Sequence, residues 1–166
     1  MEGVLYSEYT VELTKAALEY CRLMEQVDKY DEAEFIDRTS KILPLLYLKV
    51  LLMPEIEEFY ESDLEHQVTE DLYAHVVKGV AGLLGDRDLY LETFHPDMPF
   101  SDAPIAVTVS ENLADIYQDL GNFIGVFQSG VPEIMNDALV DCLQNFNDYW
   151  GQKLVNVLRA VHHLRK

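Results

Sequence analysis

The chain has 166 residues, 49% hydrophobic and 25% charged, with thirty Asp and Glu against twelve Lys and Arg and a net charge of −18. That composition fits a single domain on a prior of about 150 residues per domain and excludes a disordered chain. Two Cys, eight Gly and six Pro exclude a disulfide scaffold or a collagen-like repeat. A field this negative repels phosphate backbones, whose binding needs Lys and Arg to displace counterions, so no nucleic acid is expected as a direct partner.

Met1-Glu2-Gly3-Val4 has no basic stretch leading into an apolar one, so no secretory signal is expected and the reading places the protein in the cytoplasm. Ser7 caps a first helix to about Val27, its apolar positions recurring from Leu13 and Ala16 to Tyr20 and Met24 at three- and four-residue steps. Asp31 with Glu34 forms a capping box for a second helix to about Leu52, kinked or interrupted at Pro44. Its apolar run from Ile42 to Met53 is too short for the ~20 residues that span a bilayer, so no membrane role is expected. Residues 54–67 are acidic and suggest at most a helical turn or two around Ile56, Phe59 and Tyr60.

From Thr69, the spacing of Leu72, Val76, Val80 and Leu84 predicts a third helix that Gly85 terminates. A short helix over Leu89 to Phe94, a Pro-rich loop near residues 95–104 and an extended Ile105 to Val109 follow. Ser110 caps the clearest helix, striped by Leu113, Ile116, Tyr117, Leu120, Ile124 and Phe127. Ser129-Gly130 ends it, and Pro132 opens a last helix running almost to the C-terminus, with a bend expected at Gly151. The expected fold is all-α: one antiparallel bundle of five or six helices over residues 1–166.

Lys153, Arg159, Arg165 and Lys166 meet no acid after Asp148, leaving −22 on residues 1–152, and suit the C-terminal end of a helix. Cys21 and Cys142 read as reduced, buried thiols. Glu111, Asp115 and Asp119 recur at four-residue steps, so they share one side of their helix, as ligands of a divalent cation would. If the last two helices fold back at residues 130 and 131, Asp115 lies beside Asn147 and Glu111 beside Gly151, with Trp150 and Lys153 nearby. A solvated face opposite the apolar stripe produces the same spacing.

Glu55, Glu58 and Glu61 give the paired Glu spacing of all-α pyrophosphohydrolases, without the matching second half. Asp63 with His66 and Asp71 with His75 fall short of di-iron or zinc motifs, and His95-Pro96-Asp97 lacks the basic helix that precedes it in J-domains. The glycines 79, 82, 85, 121 and 125 suggest close helix packing. Tyr20, Tyr117, Phe127 and Phe146 are expected in the core, and Tyr6, Tyr9, Tyr60, Tyr90 and Phe100 at the surface.

The stretches SENLADIYQDLGNFI, from Ser110 to Ile124, and NDYWGQKLVNVLRAVHHL, from Asn147 to Leu164, resemble a family of uncharacterised bacterial proteins classified only as a domain of unknown function. The resemblance implies an all-helical fold over most of the chain and carries no reaction, cofactor or functional residue. It draws attention to Asp115, Tyr117, Asp119, Trp150 and Gly151. The leading expectation is a small helical protein-interaction module whose acidic surface selects a basic protein, without a cofactor, and for which a homodimer is compatible. The alternative is a divalent-metal-dependent hydrolase acting on a phosphorylated small molecule, with Glu111, Asp115 and Asp119 or Glu55, Glu58 and Glu61 as ligands.

Overall fold

A computed structural model describes residues 2–58, 60, 64–92, 94–95, 97–100 and 103–165, apart from the side chains of Glu2 and Met98. A single turn, α1 (Glu2–Leu5), precedes α2 (Glu8–Glu25), α3 (Glu32–Leu51) and α4 (Glu70–Leu84). Two short antiparallel strands, β1 (Leu89–Glu92) and β2 (Ile105–Thr108), then lead into α5 (Val109–Phe127), α6 (Pro132–Asn145) and α7 (Gly151–Leu164). The fold is thus the expected helical bundle, with a two-stranded hairpin inserted between α4 and α5.

The local chemistry accounts for most helix boundaries. Ser7, Asp31 and Thr69 each sit in extended backbone and accept a hydrogen bond from the amide three residues on, satisfying a donor that the first turn leaves orphaned. Gly85 ends α4 with a positive φ of 56°, and Pro132 occupies the first turn of α6, where its missing donor costs nothing. The helix α3 continues through Pro44 without ending there. The cap of α5 is Thr108 rather than Ser110: Thr108 Oγ1 accepts from the Glu111 amide, while Ser110 is buried against Asp88.

Three expectations are corrected. Leu89–Glu92 is a strand, not a helix, because pairing with Ile105–Thr108 across the Pro-rich loop satisfies its backbone. Among the described residues from Pro54 to Gln67 there is no helix; Phe59 lies outside them. The described part of that connection is irregular instead and is pinned to the bundle, with Asn136 Nδ2 donating to the Glu57 carbonyl at 2.8 Å and the Tyr60 amide to Asp137 at 2.9 Å. Finally, the last helix runs from Pro132 to Leu164 as expected but is not α-helical throughout. A π-helical turn, Phe146–Trp150, separates α6 from α7.

One contiguous core joins all the helices, and α5 is its centre, packing against α2, α4, α6 and α7. Leu113, Ile116, Tyr117, Leu120 and Ile124 are buried as their stripe requires, while Phe127 is only partly so. Tyr20 and Phe146 are buried, and Cys21 and Cys142 are buried free thiols. Tyr6, Tyr9, Tyr60 and Phe100 are exposed, but Tyr90 turns inward and donates to the buried Glu92 carboxylate at 2.9 Å. No described helix is long and apolar enough to cross a membrane.

Candidate functional site

The acidic side of α5 faces the bundle's polar seam rather than open water. Asp115 is held from two directions: Tyr73 on α4 donates its hydroxyl to Oδ1 at 2.7 Å, and Lys153 Nζ on α7 lies 2.9 Å from Oδ2. Lys153 also donates to Asn112 at 3.3 Å and lies over the Tyr149 ring, 4.9 Å from its centroid. Burial works against its charge, yet the hydrogen bond and charge of Asp115 outweigh that and lift the Lys153 pKa. A helical side chain leans toward its own N-terminus, so Lys153 reaches back over Tyr149, and Asp115 meets these two groups instead of Asn147.

Asp119, one turn on, accepts from Asn145 Nδ2 at 3.0 Å. Its pKa is pushed up to about 6: burial raises it, the Asn145 bond opposes that, Asp115 adds repulsion and His66 lowers it. Glu111 is exposed at the start of α5, at the outer edge of this seam, where its charge adds to burial and Asp115 in raising the Tyr73 pKa. Tyr117 points to the other side of the helix, where its buried ring places the hydroxyl 2.8 Å from Glu25. Trp150 is fully buried in the core and donates its indole N–H to the Cys142 carbonyl at 3.0 Å. Of the five residues picked out by sequence, the structure therefore brings Asp115 and Asp119 together, leaves Glu111 at their edge and separates Tyr117 and Trp150 from them.

Beside Asp119 opens a cavity of about 600 Å³ between α5 and α6. Its cover is the segment 64–68, which runs over α5. The Asn122 carboxamide oxygen accepts from both the Gln67 and Val68 amides, at 2.7 and 2.8 Å, so one side chain clamps the strap. Gly121 and Gly125 make the close approach possible. A Cβ on Gly121 would lie 2.5 Å from Val68 Cγ2, and one on Gly125 2.6 Å from Gln67 Cβ. These glycines thus admit a strap rather than a second helix, and Gly79 and Gly82 show no such crowding. The Gly-Asn-Phe-Ile-Gly spacing was the available signal, since two glycines on one helix face mark a backbone lying close.

The π turn completes the wall. Asn145 and Tyr149, four residues apart and so on one face, both line the cavity at this turn, and π turns often mark functional positions. Gly151 fits beneath it because a Cβ there would lie 2.5 Å from the Phe146 carbonyl oxygen.

Neither metal-ligand set converges. Among the described residues no group of three or more His, Cys, Asp or Glu is arranged to hold a metal ion. Glu55 and Glu58 lie outside any helix, so their helical spacing is not realised, and Glu61 and Asp63 are outside the described residues. His75 approaches the Glu25 carbonyl at 3.2 Å, and the Asp97 amide donates to His95 Nδ1 in a local turn; Pro96 is outside the described residues.

The family described as Domain of unknown function (DUF5063) matches residues 4–166. A similar solved structure is the crystal structure of protein BF1032 from Bacteroides fragilis, a structural genomics target. It is 38% identical, with a TM-score of 0.86, and the alignment covers 98% of this chain and 96% of that one. No curated protein matches the chain.

Proposed function

The chain belongs to this family of unknown function, and from that premise we propose that it works by binding a basic protein partner rather than by catalysis. The observation that carries the reading is the outer face of the hairpin insertion. Leu89 and Leu91 alternate outward from β1 at 63% and 54% exposure, and Phe94 and Phe100 follow at 69% and 88%. Large apolar side chains exposed along one short segment and rimmed by charge are what an interface uses as anchors.

The rim is acidic. Asp86 precedes β1, Asp97 lies in the following loop and Glu111 opens α5 after β2, all of them exposed. Thirty carboxylates against twelve cations also leave eighteen in excess even with every cation paired. Such a surface accelerates encounter with a basic partner and selects against acidic ones, while the leucines and phenylalanines supply the contact that holds it.

The hydrolase reading finds less support. Asp115 is already engaged by Lys153 and Tyr73, and Asp119 by Asn145.

The test compares immobilised wild type with the Leu91→Asp, Phe100→Asp double variant in capture from cell extract, after both are shown to fold by circular dichroism. Wild type is expected to retain a basic protein at low salt and release it at high salt, with retention reduced about tenfold in the variant, a loss of about 1.4 kcal/mol. An identical retained set on both proteins contradicts the reading. Self-association of the wild type alone, seen by sedimentation, reassigns the patch to a homodimer contact.

A further inference from the structure

We propose that the cavity under the strap 64–68 is a binding site for an extended organic cation carrying ammonium groups, such as a di- or polyamine. The proposal is independent of the hairpin reading, since it rests on a different face and different residues. The volume of about 600 Å³ lies within the range of about 300–1,000 Å³ typical of small-molecule sites.

The lining selects the charge. Three carboxylates reach it from three different elements: Glu65 from the strap, Asp119 from α5 and Asp141 from α6. Among the described lining residues there is no Lys or Arg, and the three carboxylates outnumber His66, the one lining side chain able to carry positive charge, so the cavity favours a cation over a phosphate or carboxylate ligand. The carboxylates are distributed around the cavity and form no converging metal set. A point ion needs ligands that converge, whereas a chain bearing several ammonium groups is matched by acids set apart around a common cavity.

The remaining lining suits the rest of such a molecule. Phe123, Val126 and Ala138 supply an apolar wall for methylene groups. Asn145 donates its amide N–H to one oxygen of Asp119, and the other Asp119 oxygen has no protein partner among the described residues, leaving it for an ammonium donor. The strap is itself built, held by the Asn122 clamp and by the bare faces of Gly121 and Gly125. At neutral pH the half-buried Asp119 carboxylate is ionised against the resistance of its surroundings, and a cation placed beside it relieves that.

The full chain, labelled for NMR, is titrated at physiological salt with spermidine and separately with a short lysine peptide, with magnesium as the competitor. One-to-one binding is expected, with shifts confined to residues around Glu65, Asp119, Asp141 and Asn145 and no displacement by magnesium. Asp119→Asn should weaken it at least about tenfold, whereas Asp28→Asn, which removes the same charge from an exposed distant site, should leave it unchanged. A melting midpoint of Asp119→Asn at or above wild type at pH 8 shows that the loss is not unfolding. Binding of spermidine assigns the site to free polyamines, and binding of the peptide alone assigns it to a partner's basic side chain. Shifts spread over the acidic surface, equal weakening by both substitutions, or no binding of either probe would overturn the proposal.

Discussion

Truncation of Trp150 to Ala is expected to cost about 3–5 kcal/mol, the range for emptying a large aromatic site in a close-packed core. For a domain of this size that lowers the melting midpoint by roughly 6–20 °C. The indole is fully buried, and its ring meets Phe146 edge-on at 4.8 Å between centroids, while Phe146 in turn contacts Tyr47 on α3 at 5.4 Å. Its N–H donates to the Cys142 carbonyl, tying the π turn to the end of α6. Trp150→Phe keeps most of the apolar contact and loses this bond, so a smaller cost of about 1–2 kcal/mol is expected. Denaturation must be followed by circular dichroism, since the chain has a single Trp. Unchanged stability in Trp150→Ala would mean that the side chain serves binding, as its place in the sequence first suggested.

The second large effect is expected at Lys153. With side-chain exposures of 23% for Lys153 and 16% for Asp115, the pair is mostly but not fully withdrawn from water. Lys153→Met leaves the Asp115 charge in place with the Tyr73 and Tyr149 hydroxyls, and no cation, to compensate it. Breaking a buried pair from one side costs about 3–5 kcal/mol; partial exposure reduces this to about 2–3 kcal/mol. Adding Asp115→Asn removes the stranded charge while an amide oxygen still accepts from Tyr73, so the double variant is expected to recover most of the loss. A double variant no more stable than Lys153→Met alone would show that the cost is lost packing of the lysine stem, not an unpaired charge.

What sequence could tell divides along local and non-local lines. Ser7, Asp31 and Thr69 announced their helices because a cap acts on an amide three residues away. The same logic faltered at Thr-Val-Ser, where two capping residues lie two apart. Ser110 lost that role because Asp88, distant in sequence, accepts from both its amide and its hydroxyl, at 2.7 and 2.6 Å. Leu89–Glu92 read as helix because its partner strand lies beyond a Pro-rich loop, and only pairing reveals the alternation of Leu89 and Leu91 outward with Glu92 inward.

The site shows the same division. Asp115 and Asp119 were visible as one face of α5, but their partners come from α4, from α7 and from the end of α6. The expected register, with Asp115 at Asn147, counts residues at a uniform α-helical pitch. The π turn Phe146–Trp150 changes that pitch, and the one local signal for it is Gly151, where a bend is expected. The strap was hidden for another reason: residues 54–67 are held by Asn136, Asp137 and Asn122, polar residues on helices met later in the chain.

Asp115 and Asp119 are proposed to belong to a structural and binding seam rather than to a metal-loaded catalytic centre. Thermal melts in EDTA and in magnesium, manganese or zinc, matched for ionic strength with sodium chloride, separate the two. Coincident midpoints are expected across the series. A metal at about 100 times its dissociation constant adds about 2.7 kcal/mol, which for this chain is a rise of roughly 5–10 °C. A rise of that size, abolished by the Asp115→Asn, Asp119→Asn double variant, would contradict the account and restore the metal-dependent hydrolase.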